Sequence, residues 1–106
     1  MDKINEALAP YQPQLDEVKN DPVLKEYVKQ KDDDVTATLM YYIHLIEVME
    51  NGSHCFLIEE ALRRGMIEER NREQMVYVAS LLRPQIDGKP TIAKILRWEL
   101  ERMRRG

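Results

Sequence analysis

The residues best suited to holding a metal or acting as a nucleophile gather in one stretch: His44, Glu47, Glu50, His54 and Cys55. On a helix, His44 and Glu47 stand three apart and share a face, so both could touch one ion, with His54 and Cys55 folding back beyond an Asn51-Gly52 turn. The set lacks the paired Cys-x-x-Cys spacing of structural zinc sites. Di-iron bundles take Glu-x-x-His from two helices, whereas here the order is His-x-x-Glu and it occurs once. The expectation is therefore a surface histidine beside a surface glutamate, with no metal. His54 and Cys55 do not form a base and nucleophile either, because consecutive helical residues point about 100° apart. Cys55 falls on the inward stripe of its helix and reads as a small buried hydrophobe.

Asp32, Asp33 and Asp34 suit the positive end of a helix, and a calcium loop would need alternating oxygen ligands and a downstream Glu that are missing. There is no glycine-rich phosphate loop and no Gly-x-Ser-x-Gly elbow, and with four glycines in all the chain has few places for backbone to approach a phosphate. No catalytic residue and no cofactor is expected, and the chain reads as a non-enzyme.

Charge offers more. The net charge of -3 conceals a segregation: residues 1–35 carry -4, residues 36–62 another -4, and residues 63–106 carry +5. A basic C-terminal half suits an acidic partner, and it can equally attract the acidic half of its own chain. Residues 54–82 can be read as helix-turn-helix around Arg63-Arg64-Gly65, and a helix over 91–104 adds Lys94, Arg97, Arg102 and Arg104, with Lys89 before it and Arg105 after it. Nucleic-acid binding is thus the alternative function. Against it, Glu68, Glu69 and Glu73 stand among the arginines and would repel phosphate.

The elements that must position these side chains are helical. Val35 to Met49 is the longest apolar run, with Val35, Leu39, Tyr42, Ile43, Ile46 and Met49 on one face and Tyr41, Leu45 and Val48 widening it. Such a helix, over about 33–50, must lie at the centre of a bundle. Before it, short helices are expected over 2–9, 13–19 and 22–29, with Tyr11-Gln12-Pro13 as a connector, Asp21 as N-cap, and Val23, Leu24, Tyr27 and Val28 inward. They should be held mainly by the central helix.

After it, Asn51-Gly52 stops the helix and Ser53 caps the next one, 54–64, whose stripe is Cys55, Ile58, Ala61 and Leu62. Residues 67–82 follow, starting at Ile67 or nearer an Asn71–Gln74 capping box, with Ile67, Met75, Val78, Leu81 and Leu82 inward. A loop spans Gln85 to Pro90, and Thr91 caps the last helix, whose stripe of Ile92, Ile95, Leu96, Leu100 and Met103 has Glu99 in its middle. The fold class is all-α: a small bundle of four main helices plus short N-terminal ones, with residues 1–106 as a single domain. The 15-residue apolar run is shorter than the roughly 20 residues that span a bilayer. The N-terminus has no signal core, and one cysteine suits a reducing compartment, so no membrane and a cytoplasmic location are expected.

Trp98 lies off the edge of its stripe, near Arg97 and Arg102, and Phe56 is also off-stripe; a tryptophan among arginines is the composition of interface anchors. Trp98, Arg97, Arg102, Lys94 and Phe56 are the candidate partner-binding residues. The functional expectation is a small regulator, inhibitor or adaptor that binds another protein or self-associates as a homo-oligomer.

Overall fold

The computed structural model describes residues 3–52 and 55–105. In chain order they form α1 (Lys3–Leu8), a 3-10 turn (Ala9–Tyr11), α2 (Gln12–Asn20), α3 (Pro22–Lys31), α4 (Val35–Asn51), α5 (Phe56–Arg63), α6 (Glu69–Leu82), a second 3-10 turn (Arg83–Gln85) and α7 (Ile92–Arg105). No strand occurs among them. The described residues form an all-α bundle in which α4, α6 and α7 are long; α5, with 8 residues, is shorter than α2 and α3 rather than a fourth main helix.

Local chemistry sets most of the boundaries. Asp21 accepts the N–H groups of Val23 and Leu24 at 3.0 and 3.2 Å and opens α3 with Pro22 behind it. Asp34 accepts the Ala37 N–H at 3.1 Å to open α4, while Asp32 holds the Asp34 N–H at 2.9 Å. Gly65, at φ 72°, lets α5 end with its own N–H on the Leu62 carbonyl and the Met66 N–H on the Ala61 carbonyl. Two starts differ from expectation. Tyr11-Gln12-Pro13 is no loose connector, because Pro10 and Pro13 fall in first turns, where a missing N–H costs nothing, and the chain runs through a 3-10 turn into α2. Helix α6 begins at Glu69: the box partner of Asn71 is Glu68, whose N–H donates to Asn71 Oδ1 at 2.8 Å, rather than Gln74. The N-cap expected at Ser53, like His54, lies outside the described residues.

Burial explains the arrangement. Every residue from Tyr42 to Val48 is buried, close to two full turns, so α4 is covered on all sides. Helices α3, α5, α6 and α7 all pack on it. The N-terminal third is not held by α4 alone, since α2 packs on α3 and α7 and α1 packs on α5. Three residues expected inward are exposed: Val23, Leu81 and Met103. On α3 the buried set is Leu24, Tyr27 and Val28, which leaves Val23 a step outside it. On α6 the buried set is Met75, Ala79 and Leu82, so the small Ala79 turns inward and rotates Leu81 out. From Glu101 onward α7 is exposed, and Met103 has no core to enter. Among the described residues, no helix is long and apolar enough to cross a membrane.

Glu99 interrupts the inward stripe of α7 for a reason. Its carboxylate accepts the Tyr27 hydroxyl at 2.7 Å and the Tyr42 hydroxyl at 2.9 and 3.0 Å, and the Lys31 ammonium stands 3.2 Å away. One carboxylate thus joins α3, α4 and α7. Burial and the Glu99 charge push the Tyr42 phenol far above its ordinary range, so it remains a donor. Lys31 loses some stability as a cation to burial, but its attraction to Glu99 wins and raises it.

Truncating the centre should be costly. Ile43→Ala or Ile46→Ala, each fully buried, is expected to lose about 2–5 kcal/mol in a urea melt, out of a total near 5–15 kcal/mol; a wild-type midpoint in both would refute the central placement. Tyr42→Phe should lose about 1.5–3 kcal/mol, the worth of hydrogen bonds to a charged group, and an unchanged melt would show that the Glu99 junction contributes nothing.

Candidate functional site

Of the residues that carried the metal question, His44 and Glu47 are buried, each 5% exposed, which corrects their expected surface position, whereas Glu50 is exposed. Seven consecutive buried positions leave no outer face on this part of α4, so its two polar residues go inside with the rest. They serve different neighbours. Glu47 reaches the start of α5, where its Oε1 accepts the Leu57 N–H at 2.8 Å. Cys55, in the N-cap position there, makes no side-chain bond to the helix, so a carboxylate from another helix satisfies the first turn instead. The Cys55 thiol donates to the Gly52 carbonyl at 2.8 Å, and burial together with the Glu47 charge pushes its pKa up to about 11. Such a thiol is a poor nucleophile.

His44 lines a cavity between α4 and α6. Among the described residues, no group of three or more His, Cys, Asp or Glu side chains is placed to hold a metal.

The five candidate partner-binding residues do not form one patch. Trp98 and Arg102 do belong together: the Arg102 guanidinium lies 4.9 Å from the centre of the indole ring, and both line a groove of about 770 Å³ between α6 and α7. Arg97 faces the other side of α7, 3.4 Å from Glu17 and 3.7 Å from Asp21. Lys94 folds onto the preceding loop, its Nζ donating to the carbonyls of Asp87 and Lys89 at 3.1 and 2.9 Å. Phe56 is exposed at the start of α5, in a separate hollow with Ala7, Tyr11 and Glu50.

The groove adds residues that periodicity had placed elsewhere. Val78, Leu81 and Leu82 form its apolar wall on the α6 side, and Gln85 and Arg105 also line it. Leu81 is 55% exposed, and Tyr77 beside it in sequence is 65% exposed. The signal was present in the composition of α6: Val76, Tyr77, Val78, Leu81 and Leu82 are more apolar residues than one buried stripe can use.

Most arginines of the basic half already face carboxylates. Arg63 and Arg64 meet Glu60 at 2.6 and 3.5 Å, Arg70 meets Glu68 at 2.6 Å, Arg72 meets Glu59 at 2.8 Å, and Arg105 meets Glu101 at 2.5 Å. These pairs are largely exposed and add little stability, yet they reduce the positive potential that a phosphate backbone would meet. Comparison with known protein families, with curated proteins and with solved structures finds no match to this chain.

The buried pair on α4 makes a pH prediction with opposite signs. Burial lowers the His44 pKa below 6.5, so the unfolded chain takes the proton first and the folded state loses stability as pH falls through 6.5. Burial raises Glu47 above 4.5 despite the N–H groups of α5, so there the folded state takes the proton first and gains stability as pH falls toward 4.5. In urea melts across this range, wild type should lose stability relative to His44→Leu as the pH drops below 6.5 and gain it relative to Glu47→Gln as the pH drops toward 4.5. Differences that do not vary with pH would contradict both placements.

Proposed function

We propose that this protein acts without catalysis, as a regulator or adaptor that binds another protein through the groove between α6 and α7. One observation carries the reading: an apolar wall of exposed Leu81 and half-buried Val78 lines one groove with a half-buried tryptophan that is stacked under an arginine. Tryptophan and arginine are the residues that most often dominate binding energy at interfaces, and a long apolar groove between two helices accepts a third amphipathic helix. Arg102 brings positive charge to the lining, while Arg105, which also lines it, is paired with Glu101. The occupant it fits is therefore an amphipathic helix with an apolar stripe flanked by Asp or Glu.

The test uses helical peptides of one apolar pattern with acidic, neutral or basic flanks, titrated against the full chain by fluorescence anisotropy. Acidic-flanked peptides should bind best. Trp98→Ala and Leu81→Asp should each weaken them about 30-fold or more, the size expected of an anchor worth about 2 kcal/mol; Leu81→Asp, at an exposed position, should leave the circular dichroism melt near wild type, and Trp98→Ala, which also removes a contact with the core, is titrated well below its own midpoint. Equal binding by basic-flanked peptides would overturn the reading. Duplex DNA bound tightly, with a salt dependence that falls by about one ion in Lys94→Ala, would favour nucleic acid instead. Self-association abolished by Leu81→Asp would make a second copy of the chain the occupant.

A further inference from the structure

Glu47 is only half satisfied by the start of α5. Its Oε1 accepts the Leu57 N–H, but its Oε2 is closed to water and is the one buried side-chain polar atom without a hydrogen-bond partner among the described residues. A buried carboxylate oxygen that nothing donates to forfeits the hydrogen bonds it had in water, and a bound donor would remove that cost. Glu47 also borders a hollow of about 300 Å³ between the N-terminal helices, the end of α4, the start of α5 and the loop before α7.

The polar groups around this hollow are sorted by sign. From α4 come two carboxylates, Glu47 and Glu50. The Tyr11 phenol stands within their field, and burial followed by those two charges raises its pKa and keeps it a donor. From α2 and the loop before α7 come further donors: the Lys89 ammonium, and the amide nitrogen of Gln14, whose Oε1 is taken by the Ile92 N–H at 3.0 Å. Glu50 and Lys89 form no ion pair among the described residues, so the hollow keeps a charge of each sign. The rest of the wall is apolar, from Ala7, Pro10, Leu57 and the half-exposed Phe56.

We infer that this hollow binds a small zwitterion, a free α-amino acid with an apolar side chain, with its ammonium on the carboxylates of Glu47 and Glu50 and its carboxylate on Lys89 and Gln14. An ammonium has several donors, so one group can serve Oε2 of Glu47 and the Glu50 carboxylate together. Turning Oε2 to face it needs only rotation about the last bond of the side chain, a soft torsion.

Charge decides between a zwitterion and simpler ligands. The first turn of α5 already offsets part of the Glu47 charge, which leaves Glu50 and Lys89, one of each sign. A simple amine would face Lys89, and a simple acid would face two carboxylates; a zwitterion answers both ends. Size agrees: benzene fills a cavity of about 150 Å³, so about 300 Å³ admits an amino acid with a branched aliphatic side chain and matches the smaller known ligand pockets. The site shares no lining residue with the partner groove, and it does not depend on what the groove binds.

L-Leucine, isopentylamine and 4-methylpentanoate keep one branched chain with both charges, the ammonium alone or the carboxylate alone. Each is titrated into the full chain and followed by the ring resonances of Phe56, the single phenylalanine. Leucine should shift them and saturate, and the other two should bind about tenfold more weakly or worse, the least that a hydrogen bond to a charged group is worth. Glu50→Gln and Lys89→Gln, both at exposed positions, should leave the melt near wild type and each weaken leucine by about the same factor. Lys89→Gln should at the same time spare isopentylamine, because it removes only the partner of the carboxylate. Glu47→Gln keeps an acceptor for the Leu57 N–H and should abolish leucine binding. Phe56 signals unmoved by leucine, isopentylamine bound as tightly as leucine, or leucine binding untouched by both surface variants would each overturn the assignment. Wild type and the two surface variants decide the matter even if Glu47→Gln fails to fold.

Discussion

The structure depends on the burial of α4 around its whole circumference. A helix that hides seven consecutive residues has no solvent face to which a polar side chain can retreat, so Tyr42, His44 and Glu47 must be accommodated inside. Burying a polar group costs free energy unless a partner completes its hydrogen bonds. Tyr42 finds Glu99, and Glu47 finds the open first turn of α5. These contacts also fix the positions of neighbouring helices: α3 and α7 are tied to α4 through one carboxylate, and α5 is set by where Glu47 meets its backbone. Packing of apolar side chains alone tolerates sliding, whereas a directed hydrogen bond in a low-dielectric interior does not.

Charge segregation along the chain is largely settled within the molecule. Arg97 of the basic half bridges to Glu17 and Asp21 of the acidic N-terminal part, and Arg72 reaches across from α6 to Glu59 on α5. What is left near Trp98 is a narrower basic feature, Arg102 stacked on the indole beside an apolar wall. A partner that meets it must match apolar shape as well as charge, which is a more selective requirement than a phosphate backbone imposes.

Helix α6 has the most versatile role. It covers α4 with Met75, Ala79 and Leu82, and the small Ala79 permits close approach at the middle of the contact. Toward its start, Met75 and Asn71 border the His44 cavity; toward its end, Val78 and Leu81 border the groove with Trp98. The helix is more apolar than its buried stripe requires, and the surplus, Val78 and Leu81, lines the groove.

From the residues alone follow the helical class, the central place of 35–49, the Asp21 cap, a helix start at the Asp32–Asp34 run, the burial of Cys55 and the anomaly of Glu99 in an apolar stripe. All of these rest on interactions within a few residues of one another, where periodicity and capping act directly. The partners of Glu99 could not be read that way, because Tyr27 and Tyr42 lie 72 and 57 residues from it along the chain. Nor could the burial of His44 and Glu47, which depends on how many helices surround α4 rather than on its own pattern. The same holds for Leu81 and Met103: periodicity defines a stripe, but its edges are set by which neighbour is present and how far it extends. Of the five residues singled out for binding, Trp98 and Arg102 lie together at one groove. Tertiary structure separated Arg97, Lys94 and Phe56 from them, because side chains close in number point around a helix toward different neighbours, and only the packed bundle decides what those neighbours are.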